Sequence, residues 1–118
     1  MARLTLRIDF DGGRAGGRAL GPGKVRLLEL VGETGSISAA GRAMGMSYRR
    51  AWLLVDALNQ TFRLPVTQAR GGGAGGGGAT LTPFGASLVS TYRAMERDAQ
   101  GALAANLATI EAALSEVA

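Results

Sequence analysis

Apolar and polar residues alternate at the start of the chain. Leu4, Leu6, Ile8 and Phe10 are separated by Thr5, Arg7 and Asp9, the period of two that marks a half-buried strand. The stretch DGGRAGGRALGPG (residues 11–23) interrupts it and is expected to be a flexible basic loop, solvated or touching phosphate. The period then becomes helical. Pro22 suits a first turn, Val25, Leu27, Leu28, Leu30 and Val31 follow at helical spacing, and Gly32 and Gly35 end the run. Ser36 or Ser38 caps a second, short helix of small and apolar residues, Ile37, Ala39, Ala40, Ala43 and Met44, which lets a neighbouring helix cross close by. Gly45 suits a left-handed turn, and Ser47 caps a third helix. Ala51, Val55, Leu58 and Phe62 form its apolar face, with Trp52 and Leu54 at the flanks. Arg49, Arg50, Leu53, Asp56 and Gln60 fall on the opposite side, and Pro65 stops the helix.

Two short extended segments, PVTQAR and ATLT, then bracket GGGAGGGG, which predicts a hairpin with an over-long glycine tip. Thr82 followed by Pro83 is a helix start. No proline follows, and Leu88, Tyr92, Met95, Ala99, Leu103, Leu107, Ile110, Leu114 and Val117 recur as a heptad seam with one inserted step near Gly101. An unbroken helix of that length would run about 54 Å. A core of this size cannot cover it, so the seam predicts a partner chain, with Leu88, Tyr92, Met95, Leu103, Leu107, Ile110 and Leu114 at the dimer contact. The elements add up to a mainly α fold with a small β-hairpin wing, a winged helix-turn-helix over 1–81 joined to a long C-terminal dimerisation helix over 82–118.

Composition narrows the chemistry. The chain has 118 residues, the size of one domain. It has no cysteine and no histidine, so thiolate ligands, disulfides and the commonest general base are missing. Asp9, Asp11, Glu29 and Asp56 show no paired spacing, and no serine has a base to activate it. An enzyme is therefore not expected. The glycine run lacks the Gly-Lys-Ser/Thr of a phosphate cradle, leaving a wing or a plain loop. No apolar run is long enough for a membrane span and no secretory signal is evident, so the expected place is a bacterial cytoplasm, at the nucleoid. The net charge of +4 is unevenly spread: residues 1–75 carry eleven Arg/Lys against five acids, and residues 76–118 two against four. A basic front and a mildly acidic tail suit a polyanion-binding part joined to a part with another task.

The candidate contacts follow from this layout. The first turn of a recognition helix enters the major groove, which places Ser47, Tyr48, Arg49 and Arg50 there; arginine pairs with guanine O6 and N7. Tyr48 can be core, or can reach the sugar-phosphate backbone, and Trp52 is expected to be a packing anchor. Arg42 and Arg70 are candidate phosphate contacts, Arg70 also for the minor groove. Ser36 and Ser38 are caps first and phosphate donors second. Gly72, Gly73, Gly75 and Gly76 offer bare backbone to the duplex.

The segments GSISAAGRAMGMSYRRAWLLVDALN and RGGGAGGGGATLTPFG resemble the DNA-binding part of the ModE family of molybdate-responsive transcriptional regulators, which is related to the LysR-type winged helix. The resemblance covers the whole chain. It implies a homodimeric, sequence-specific regulator on a palindromic operator in double-stranded DNA, with Ser47, Tyr48, Arg49 and Arg50 at the groove and the Gly71–Gly78 run as wing. Wings of relatives can carry a lysine where this run has only Ala74. Members of that family continue into molybdate-binding domains, which these residues do not include. No cofactor is therefore expected, and molybdate or tungstate has no recognisable site. Two other readings remain open at this point: a single-domain oxyanion sensor using helix starts and glycine nests, and a protein that pairs its long helix with a full-length relative.

Overall fold

Helix starts follow the side chains that can cap them. In a computed structural model, which describes residues 2–11, 18–73 and 76–116, α1 (Pro22–Thr34) begins at a proline, while α2 (Ile37–Ala43), α3 (Tyr48–Thr61) and α4 (Pro83–Ala102) begin at capping hydroxyls. Ser36 Oγ accepts from the Ala39 N–H at 3.0 Å, Ser47 Oγ from Arg50 at 3.1 Å and Thr82 Oγ1 from Gly85 at 2.9 Å. Each satisfies a donor that the first helical turn otherwise leaves unpaired. A final helix, α5, spans Ala104–Glu111.

Two antiparallel hairpins complete the architecture. The first pairs β1 (Ile8–Phe10) with β2 (Arg18–Leu20), Ile8 opposite Leu20. Strand β2 falls within the stretch expected to be loop. Its anchor is non-local, because Ala19 and Leu20 are buried. Residues 12–17 lie outside the described residues. The second hairpin pairs β3 (Thr67–Gly73) with β4 (Gly76–Leu81), Thr67 opposite Leu81 and Arg70 opposite Gly78, with a register shift between Arg70 and Gly73.

The N-terminal strand is shorter than its alternation predicts. Residues 2–7 form no strand, and Ala2, Leu4 and Leu6 take partners from α4 instead. Gln100 Oε1 accepts from the Leu4 N–H at 2.7 Å, its Nε2 donates to the Ala2 carbonyl at 3.1 Å, and the Tyr92 hydroxyl donates to the Leu6 carbonyl at 2.6 Å. Helix side chains thus satisfy backbone groups that an adjacent strand would otherwise pair.

The core has two parts, and α1 and α3 run through both. Leu27, Leu30, Val31, Ala40, Ala51, Val55 and Ala79 pack beneath the helix-turn-helix. Leu20, Val25, Leu28, Leu58, Val66 and Tyr92 pack at the other end. Phe62, expected on the helical face of α3, instead follows the last helical residue. It makes edge contacts with Phe10 and Phe84 at 5.8 and 5.5 Å between ring centres, a favoured aromatic geometry. Arg93 fastens α4 to α1: its Nε and Nη2 donate to the two Glu29 oxygens at 3.0 and 2.9 Å, and its Nη1 to Glu96 at 2.7 Å. These bonds raise the guanidinium pKa, and the same hydrogen bonds hold the Glu29 carboxyl below its ordinary 4.5 against the opposing effect of burial.

The expected continuous rod is interrupted. Leu103, at φ −104° and ψ 10°, separates α4 from α5, near the inserted heptad step. The end of α4 and all of α5 project from the core, giving extents of 56 × 36 × 27 Å.

Candidate nucleic-acid interface

The geometry of α2 and α3 is set at two glycines. Gly45 takes φ 72° between them, a region that penalises residues with a Cβ. At Gly41, a Cβ would meet the Ala51 methyl at 2.8 Å, so the helices cross at a distance only glycine permits. Met46 N–H closes the turn onto the Gly41 carbonyl at 3.0 Å.

This crossing leaves the beginning of α3 free. Tyr48 is 57% exposed, which resolves its two readings in favour of a surface position. Arg49 and Arg50 are exposed, and neither guanidinium has an acidic partner among the described residues. Arg49, Trp52, Leu53 and Asp56 follow at three- and four-residue spacing along the outward face. Trp52 corrects an expectation: it is 45% exposed rather than a packing anchor. It lines a groove of about 310 Å³ with Asp56, Gln68 and Gly78, between α3 and the wing. The buried residues of α3 are Ala51, Val55 and Leu58, with Leu54 packed partly buried against the same core, and position 52 falls beyond their edge. The Asp56 carboxylate accepts from Gln60 at 2.8 Å.

The wing is fixed at its root. The Ala79 N–H donates to the Gly35 carbonyl at 3.0 Å. Gly35 has φ 71°, and the Arg70 guanidinium lies where its Cβ would be. Arg70 is therefore folded back over the α1–α2 turn and is exposed. Asn59, unremarked in the sequence, holds the other side: its Oδ1 accepts from the Val66 and Thr67 N–H groups at 2.7 and 3.2 Å. Arg42 is exposed and donates to Ser38 Oγ at 3.0 Å, whereas Ser36 is the cap. Gly72, Gly73 and Gly76 lie in the wing strands, and Gly75 lies outside the described residues.

The seam residues are not equivalent. Tyr92 is 1% exposed and bonded within its own chain; it belongs to the core and is no partner contact. Leu88 packs against the same cluster. Met95, Leu103, Ile110 and Leu114 are exposed, the last two at 65% and 70%, and Leu107 is half-buried. Val117 lies outside the described residues. Among the described residues, no group of three or more His, Cys, Asp or Glu is placed to hold a metal ion, and no helix is long and apolar enough to cross a membrane.

Over residues 23–86, from α1 to the first turn of α4, the sequence matches the family described as bacterial regulatory helix-turn-helix protein, lysR family. The chain belongs to this LysR family. The matched residues contain the helix-turn-helix of α2 and α3. The chain is similar to the molybdenum-pterin-binding protein MopB of Rhodobacter capsulatus, 49% identical over 80 residues, 68% of this chain and 30% of that protein. It is 37% identical over 103 residues to the molybdenum transport protein ModE of Azotobacter vinelandii, 87% of this chain and 36% of that one. With the DNA-binding transcriptional dual regulator ModE of Escherichia coli K12 it shares 37% identity over 71 residues, 60% of this chain and 27% of that protein. The LysR-family chain thus spans about a third of the length of these curated relatives.

Proposed function

We propose that the protein is a sequence-specific transcriptional regulator of ModE type. It binds a pseudo-palindromic operator in double-stranded DNA as a homodimer and acts in molybdenum-related gene control. Residues 1–81 form the DNA-binding unit and 82–118 the pairing arm. The observation that carries this reading is Arg49 and Arg50, without an acidic partner among the described residues, at the capped and exposed start of α3, in a helix-turn-helix whose α1–α2 turn is bonded to the wing.

Each part has a physical role. Arg49 and Arg50 take guanine edges in the major groove, and Tyr48, Ser47, Ser38 and Arg42 set the register on phosphates. Arg70, seated over Gly35, takes phosphate at the junction of wing and helix. The exposed Met95, Leu103, Ile110 and Leu114 give the arm an apolar face for a second copy, which puts two copies of α3 in major grooves about 34 Å apart. The relatives' names, which include molybdenum transport and molybdenum-pterin binding, support the link to molybdenum.

The test starts from a random duplex pool enriched on the purified protein. The enriched site should be an inverted repeat. In fluorescence anisotropy, Arg49→Ala and Arg50→Ala should each reduce discrimination against random DNA by about 1–3 kcal/mol, and binding should weaken steeply with salt. Unchanged discrimination in both variants would remove the α3 assignment.

A further inference from the structure

A pocket of about 750 Å³ lies between the N-terminal strap and α4, lined by Arg3, Leu4, Pro22, Arg26, Arg93 and Arg97 among others. Its volume is that of small-molecule sites, which are mostly apolar with a few convergent polar groups. Arg93 is committed to Glu29 and Glu96. Arg26 reaches Glu29 and Glu33 only at 3.3 and 3.5 Å and is half exposed. Arg3 and Arg97 have no acidic partner among the described residues. Glu96, the acid in the wall, already serves Arg93.

This excess of positive charge is not explained by the DNA-binding surface. Pro22 opens α1, and the helix-turn-helix and wing meet at Gly35, past its other end. A helix of 13 residues separates the two by about 20 Å. The pocket is lined from the N-terminal strap, the start of α1 and α4, whereas the start of α3 sits on the first core cluster.

We infer that this pocket binds a small organic carboxylate with an apolar body. Arg3 and Arg97 receive the carboxylate through charge-assisted hydrogen bonds, and Leu4 and Pro22 cover the carbon skeleton. A carboxylate with a hydrocarbon body suits the site better than an inorganic anion such as phosphate, which offers Leu4 and Pro22 no carbon skeleton to cover. The strap forms one wall and is tied to α4 by the Gln100 amide, so an occupant bridging Arg3 and Arg97 closes the strap onto the helix that leads into the pairing arm.

Calorimetric titration of the 118-residue protein with cyclohexanecarboxylate tests this, with cyclohexanecarboxamide and inorganic phosphate as comparators. The carboxylate should bind with a dissociation constant in the millimolar range or below, the neutral amide and phosphate detectably more weakly. Arg3→Ala and Arg97→Ala should each weaken carboxylate binding about tenfold or more, with thermal unfolding unchanged. Hydrogen exchange at the Leu4 amide should slow on binding. No binding of the carboxylate, equal binding of the amide or of phosphate, or undiminished binding in the double variant would overturn the assignment. None of these measurements uses DNA, so the outcome is independent of the operator-binding reading.

Discussion

The Gly35 carbonyl, in the turn between α1 and α2, accepts a hydrogen bond from the Ala79 N–H at the root of the wing. Forty-four residues apart in sequence, the two make the helix-turn-helix and the hairpin parts of one surface. Arg70 covers the same glycine from outside, so backbone conformation, wing position and a cation converge at Gly35.

Gly35→Ala should therefore be costly. The left-handed φ alone costs alanine about 1–2 kcal/mol, and the new methyl displaces Arg70. Urea unfolding should show the loss, and the Ala79 amide should exchange faster. In an Arg70→Ala background the same substitution should cost less, because only the backbone penalty remains. An equal cost in both backgrounds would show that Arg70 does not press on Gly35.

Ser47→Ala removes the cap of α3 and should destabilise the protein by about 1 kcal/mol. Ser47→Asp restores an acceptor for the Arg50 N–H and should recover stability in chemical denaturation. Its negative charge should still weaken DNA binding if this helix start faces phosphate.

Acid should act through Glu29. Arg93 lowers its carboxyl pKa in the folded protein, with a smaller contribution from Arg26. Its stabilisation is therefore complete above the ordinary value of 4.5 and is lost as pH falls through the depressed folded value. The stability difference between the wild type and Glu29→Gln should be flat from about pH 7 to about pH 5 and shrink at lower pH. A difference that grows on acidification would contradict the ion pair.

Leu103→Glu and Ile110→Glu change side chains that already face solvent, so thermal unfolding of the monomer should hardly move. Sedimentation equilibrium should show self-association weakened by about tenfold or more, as a charge buried in an apolar contact requires. Truncation after Arg97 should do the same. Variants that sediment like the wild type would place the dimer contact elsewhere.

The features legible in the sequence are the local ones. Ser47 and Thr82 announce their helices because a cap needs only the next three residues, and Gly45 its turn because φ is a property of one residue. The rest depends on distant partners. Strand β2 exists because Ala19 and Leu20 find β1 and the second core cluster. Tyr92 fits a heptad as well as a core, and its hydroxyl found Leu6, 86 residues away. Trp52 stands at the margin of the apolar face of α3, where spacing does not distinguish inside from outside. Arg70 is adjacent to the glycine run in sequence, yet its side chain lies over Gly35.

The strap has a consequence for synthesis. Ala2, Leu4 and Leu6 are clasped by Gln100 and Tyr92, 86 to 98 positions downstream. On a ribosome that delivers the amino end first, the strap is made well before the helix that holds it. Until Tyr92 and Gln100 have emerged, the Leu6 carbonyl and the Leu4 amide lack their partners from α4 and are left to water.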